Sequence, residues 1–186
     1  MLDRIKMLID WRCFKAGETI EFRPGVNLLV GDQGTGKSSL LILFSSKQTK
    51  EERARIRQIE GDKCKQWSFD FEKDNFRTKT HVGKNAMAEI SSRFWSHGES
   101  CWLILNNMPQ GETKPGVFFM DEPDMALSVR SAHRLVRAFE KTVSFGHQII
   151  AAVHNPIVIA AFSEVYSLEH RKWMPSQEFL ESQEDQ

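Results

Sequence analysis

Residues 31–38, Gly31-Asp32-Gln33-Gly34-Thr35-Gly36-Lys37-Ser38, form a complete G-x-x-x-x-G-K-S loop, followed by Ser39. A triphosphate is a dense anion, and this spacing answers it with little side-chain chemistry. The glycines let consecutive backbone N–H groups turn inward around the phosphates. A helix starting beside Lys37 adds the positive end of its dipole. Lys37 supplies a point charge for the β- and γ-phosphates, and the Ser38 hydroxyl is a ligand for Mg²⁺. At average glycine and lysine usage, a chain of this size meets the pattern by accident with a chance on the order of one per cent.

Three further groups carry chemistry in the same context. Val117-Phe118-Phe119-Met120 is followed by Asp121 and Glu122, two carboxylates at the C-terminal end of an apolar run. Open α/β sheets place their ligands at that end. Asp121 suits Mg²⁺, directly or through water, and Glu122 suits the orientation or deprotonation of an attacking water. Alone, the pair would read as a strand running into a solvated turn; beside the phosphate loop, the chemical reading prevails. Ser96-His97-Gly98-Glu99-Ser100 precedes an apolar run, a place where backbone N–H groups meet an anion or simply cap a helix. His154 follows the run Ile149 to Val153, either as a polar residue leaving the core or as a group within reach of a γ-phosphate.

The elements that must position these groups are legible as hydrophobic patterns. Ile5, Met7 and Ile9 alternate with charged residues, which predicts a half-buried strand, and Thr19 to Phe22 predicts a second before the Pro24-Gly25 turn. Val26 to Val30 is dense enough for a buried central strand. Residues 38–46 are apolar almost all round, as a buried helix is. Met125, Val129, Ala132, Leu135, Val136, Phe139 and Val143 have helical spacing, with Gly146 as the stop. Asn155-Pro156 predicts an N-cap with proline at the first helical position. Val165 to Glu169 predicts a last strand, and 177–186 a frayed, acidic tail. Strands alternating with helices predict an α/β fold with a largely parallel sheet. The charged segment 47–95, with one alternating stretch at Gln66 to Phe71, predicts a small inserted lobe within a single 1–186 domain.

Composition bounds the setting. With 40% hydrophobic and 27% charged residues, the chain has the balance of a soluble globular domain. Its 25 basic and 25 acidic side chains cancel, which removes any global electrostatic case for nucleic acid. The three cysteines are odd in number and far apart, so neither a disulfide framework nor a zinc site is expected, and a cytoplasmic setting is. Charges interrupt the N-terminal apolar positions, so neither a signal peptide nor a membrane span is expected.

Taken in order, these elements resemble ABC-type ATPases of the SMC and DNA-repair branch, especially short bacterial and phage "AAA family" ATP-binding proteins related to the overcoming-lysogenization-defect ATPases. Trp11 to Gly31 resembles the family's first hairpin and Walker A entry, Ser96 to Glu99 its signature motif, Asp121 to Ser128 its Walker B acids and D-loop, and Ala152 to Pro156 its switch-histidine segment. The resemblance covers roughly residues 1–45 and 90–170. It implies a head-to-tail homodimer in which each ATP lies between the Walker A loop of one copy and Ser96, Gly98 and Glu99 of the other. Hydrolysis through Glu122 and His154 would release it, with Arg12 and Phe14 on the adenine or ribose side. Ser100 stands where the family's signature glutamine does, and Ser128 where its D-loop aspartate does. The Q-loop residue stays open among Gln66, Asp70, Glu72 and Asp74.

Two other functions fit parts of the pattern. An ATP-sensing interaction scaffold would use the same loop with negligible turnover, but Glu122 and His154 favour hydrolysis. A P-loop kinase would need a basic lid, which Arg53, Arg55, Arg57, Lys63 and Lys65 could furnish; it leaves Ser96 and His154 without a task. The same basic run reads equally as a solvated helix face, interleaved with Glu51, Glu52 and Glu60, and leaves nucleic-acid contact open. Family habit points to a protein partner, a nuclease or a toxin.

Overall fold

The computed structural model describes residues 1–44, 49–70 and 114–184. Two sheets and two groups of helices are stacked in layers. In the first sheet, β1 (Leu2–Met7) is flanked by β2 (Thr19–Glu21) and β4 (Arg57–Gly61), both antiparallel to it. Ile5 and Met7 are buried, which is the expected alternation, and Leu2 is buried as well, across a register shift between Leu2 and Arg4. Ile9 falls beyond the strand and is exposed, because β1 ends at Met7.

The second sheet runs β5-β6-β7-β3-β8-β9, built from β3 (Val26–Val30), β5 (Lys65–Asp70), β6 (Gly116–Asp121), β7 (Gln148–Ala152), β8 (Glu164–Ser167) and β9 (Lys172–Pro175). The first five are parallel, and β9 closes the edge antiparallel to β8. The continuous apolar runs of β3, β6 and β7 follow from burial on both faces. Leu29, Phe119 and Ile150 pack toward the antiparallel sheet and α1 (Lys37–Ile42). Leu28, Phe118 and Ile149 pack on the opposite face, with α3 (Val129–Ser144), α4 (Pro156–Ala160) and α5 (Ser176–Glu184). Gln148, fully buried, joins the layers: its Nε2 donates to the carbonyls of Leu2 and Arg23 at 2.9 Å each, and its Oε1 accepts from Leu2 N–H at 2.9 Å.

Several expectations change in detail. The segment 49–70, read as part of an inserted lobe, holds α2 (Lys50–Ile56), β4 and β5, so this part of it supplies a strand to each sheet. Residues 71–95 of that lobe lie outside the described residues. The helix expected from Met125 begins at Val129, because Ser128 caps it by accepting from Ser131 N–H, and Met125 stays 47% exposed in the preceding loop. The tail expected to fray is instead α5, anchored by buried Phe179 and Ser176. The N-cap at Asn155 forms as expected: its Oδ1 accepts from Ile157 N–H at 3.0 Å, with Pro156 opening the helix.

Candidate functional site

Three neighbouring parallel strands deliver the site. β3 ends in the loop 31–36, β6 ends at Asp121, and β7, which lies between them, leads to His154. Each strand is buried, so its last residue is fixed by the sheet ladder, and the polar residues beyond emerge together at one edge.

The loop turns on glycines with positive φ, Gly31, Gly34 and Gly36. Gly36 has a second reason to lack a side chain: a Cβ there would lie 2.2 Å from Cys13 Sγ. Lys37 opens α1 and is 5% exposed, its Nζ donating to the carbonyls of Gly31 at 2.5 Å and Asp32 at 2.9 Å. Burial pushes its ammonium below the usual lysine range, against the pull of Glu122, Asp32, Asp121 and Asp124. Beside it, Ser38 Oγ donates to Asp121 Oδ1 at 3.0 Å, across 83 residues of sequence. The hydroxyl of the loop and the first acid of β6 are thus already in contact.

Glu122 begins the next turn with φ 51°, a left-handed conformation for a residue with a side chain. Its N–H donates to Ala152 O at 3.1 Å, and its Oε1 lies 3.5 Å from His154 Nε2. The turn brings Asp124 back beneath the loop after β7. Asp124, 4% exposed, accepts from His154 N–H at 2.7 Å and from Asn155 N–H at 2.5 Å through Oδ2. A cleft of about 530 Å³ opens here, with Gly31, Asp32 and Gln33 on one wall, Glu122 and His154 on a second, and Phe179, Leu180 and Gln183 of α5 on a third.

The adenine-side candidates are placed differently from each other. Arg12 is exposed, stacks over the Trp11 ring at 4.8 Å and donates from Nη1 to Ser39 Oγ at 2.9 Å. Phe14 is 1% exposed, packed beneath Gly36 and covered by the Arg171 guanidinium, so it supports the loop from below. Trp11 is partly exposed beside it, its ring stacked 6.5 Å from that of Phe14. Ser96, His97, Gly98 and Glu99 lie outside the described residues, as do Glu72 and Asp74. Gln66 sits inside β5, opposite Val117, whereas Asp70 ends that strand opposite Asp121. Sequence reading assigned no role to Asp124 or to α5. Asp124 carried a signal, a charged residue directly after the Asp-Glu-Pro turn; α5 carried only Phe179 and Leu180 among polar neighbours.

Mg²⁺ fits the residues present. It takes one or two protein oxygens and fills the rest of its shell with phosphate and water. A hydroxyl and a carboxylate in contact match that demand, and no cluster of three or more His, Cys, Asp or Glu ligands occurs among the described residues. No helix among them is long and apolar enough to cross a membrane.

Comparison with known proteins adds context. Residues 7–81 match the family model described as an AAA domain. The chain is 24% identical over 179 residues to ABC transporter G family member 45 of Oryza sativa subsp. japonica, covering 74% of this chain but 13% of that protein's length. Among solved structures, a metal-chelate type ABC transporter in an inward-facing conformation superposes with a TM-score of 0.60 at 13% identity, covering 95% of this chain and 84% of that one. A dimeric ATP-binding cassette in a post-hydrolysis state, bound to ADP and Pi, superposes with a TM-score of 0.51 at 12% identity, covering 94% and 97%.

Proposed function

We infer that this chain, whose fold is that of the ATP-binding cassettes, is an ABC/SMC-like P-loop ATPase that binds ATP with Mg²⁺ at residues 31–39 and hydrolyses it. The observation that carries the reading is the Ser38–Asp121 hydrogen bond of 3.0 Å beside buried Lys37, with Glu122 and His154 facing each other at the rim. Binding of a magnesium–nucleotide complex draws on Lys37, Ser38 and Asp121; hydrolysis calls in addition on a base and a γ-phosphate donor, which Glu122 and His154 supply.

Ser38 and Asp121 would hold Mg²⁺, which when bound neutralises charge on the β- and γ-phosphates. Lys37 exchanges its two carbonyl partners for phosphate oxygens. Glu122 orients the attacking water and takes up its proton, and His154 donates to the γ-phosphate from the facing side. Arg12 and Trp11 flank the base. Two copies pack head to tail, each supplying Ser96, Gly98 and Glu99 to the other's triphosphate, and hydrolysis releases them and switches the hold on a protein partner. The dimeric cassette with ADP and Pi supports this arrangement as a structural relative of the same fold.

Glu122→Gln tests it. Loss of a general base costs about 10²- to 10⁴-fold in turnover. The variant therefore binds ATP, forms a stable dimer on a sizing column with ATP and Mg²⁺, and releases phosphate at least about 100-fold more slowly. Wild-type phosphate release from Glu122→Gln would remove the general base, and a Lys37→Ala protein that keeps its ATP affinity would remove the binding site.

A further inference from the structure

We propose that Asp124 is a positioning residue for hydrolysis, whose carboxylate holds the His154–Asn155 backbone against the turn that carries Glu122. The inference rests on the ATPase reading above and adds to it a residue that does not itself line the cleft.

Neither Glu122 nor His154 lies within a strand. Glu122 stands one residue beyond β6 with φ 51°, and His154 two residues beyond β7. Their side chains are 29% and 46% exposed, and they meet each other only at 3.5 Å. What fixes their relative placement is backbone. Glu122 N–H donates to Ala152 O, and Met125 N–H donates to Glu122 O, which closes the turn and aims Asp124 inward. Its Oδ2 then collects the two consecutive N–H groups of His154 and Asn155 at 2.7 and 2.5 Å. Among the described residues, no other side chain bonds to the backbone of His154 or Asn155 from the β6 turn. Asn155 in turn caps α4, so its φ and ψ are constrained from both sides.

A packing role alone does not account for the choice of aspartate. Its residue is 4% exposed, yet Oδ1 is buried with no hydrogen-bond partner among the described residues. A half-satisfied buried carboxylate is an expensive way to tie two loops together. Such costs concentrate where geometry serves chemistry. An anion accepting two amide N–H groups is a stiff clamp, and its charge also bears on Lys37.

The test compares wild type, Asp124→Ala, Asp124→Asn, His154→Ala and the double Asp124→Ala/His154→Ala, by steady-state phosphate release and by amide hydrogen exchange. In Asp124→Ala, kcat falls about 10- to 100-fold, the range expected when a catalytic group is misplaced by about 1 Å. KM for ATP stays within about threefold, because uniform nucleotide binding is untouched. Asp124→Asn recovers to within about threefold, since a carboxamide oxygen accepts the same two N–H groups. In the His154→Ala background, Asp124→Ala lowers kcat no further. The His154 and Asn155 amides exchange at least about 10-fold faster in Asp124→Ala, while those of β7 are unchanged. Should Asp124→Ala fail to fold, Asp124→Ser takes its place with the same expectations. Three results overturn the proposal: wild-type kcat in Asp124→Ala; kcat, KM and melting temperature falling together, with asparagine no better than alanine; or losses that multiply in the double variant. A wild-type protein that binds ATP without releasing phosphate overturns the ATPase reading instead, so the two failures are distinct.

Discussion

The backbone at Glu122 makes a prediction whose sign is opposite to the ordinary one. With φ 51°, the residue sits in the left-handed region, where a Cβ crowds the following carbonyl at a cost of about 1–2 kcal/mol. Glycine escapes that cost but is the more disordered residue when unfolded, which at a normal position makes it about 0.5–1 kcal/mol worse than alanine. Glu122→Ala and Glu122→Gly both remove the carboxylate, and with it the 3.5 Å approach to His154, so that loss cancels between them. What remains is the difference between strain relieved and freedom surrendered. The glycine variant is therefore the more stable by up to about 1.5 kcal/mol, at about 2–4 °C in melting temperature per kcal/mol for a chain of this size. Urea titration and thermal melting of both variants without nucleotide measure it, and neither variant releases phosphate at the wild-type rate. If alanine proves as stable as glycine, Glu122 is not strained, and no stability is being surrendered to aim its side chain.

Two further outcomes follow from the charges around Lys37. Lys37→Met abolishes ATP binding yet melts higher than wild type in the absence of nucleotide, because it removes a buried ammonium. Its advantage depends on pH: the folded pKa of Lys37 lies below the unfolded 10.5, so wild-type stability recovers as pH rises through the folded value toward 10.5, and the gap to Lys37→Met narrows across that window. A gap that is constant from pH 7 to 10.5, measured by urea titration, would contradict the burial argument. Chelating Mg²⁺ with EDTA weakens ATP binding, read with a fluorescent ATP analogue, and Ser38→Ala reproduces part of that loss; ATP binding unaffected by EDTA would rule out the assignment of Ser38 and Asp121.

The parts of the fold legible in the sequence are those whose cause is local. The loop 31–38 could be read because a phosphate cradle needs glycine at fixed positions. The buried strands β3, β6 and β7 could be read because burial on both faces makes them near-continuous apolar runs. Asn155-Pro156 could be read because capping is satisfied within three residues. β5 showed itself as the alternating stretch at Gln66 to Phe71, whereas β4 was hidden by its setting: it is only half-buried, and what makes it a strand is pairing with β1, distant in sequence. Helical spacing carried Met125 into α3, but the chain cannot be helical there, since Glu122 and Ala126 both have positive φ and Ser128 caps the helix later. In α5 two apolar residues were too weak a pattern to predict a helix, and Phe179 docking on α4 and β8 is a tertiary cause. Asp124 was visible as a letter but not as a clamp, because its partners lie 30 and 31 residues away.

On the proposed ATPase reading, the charge pattern of the site accounts for a divalent cation in its chemistry. Lys37 is the cation at the centre, and Asp32, Asp121, Glu122 and Asp124 all act on it. Acids outnumber it, so the strand ends form a negative surround, and the positive character of the loop comes from backbone N–H groups and the start of α1. A bare triphosphate would meet those carboxylates as like charges in a partly buried setting, where repulsion is poorly screened. The contact of Ser38 Oγ with Asp121 Oδ1 would offer Mg²⁺ a seat on the side where the acids are, and would leave the N–H groups to face the phosphates. Ser38 and Asp121 would then hold the ion between them, nucleotide and metal would reinforce each other, and the acids that oppose a free anion would become the reason its magnesium complex is preferred.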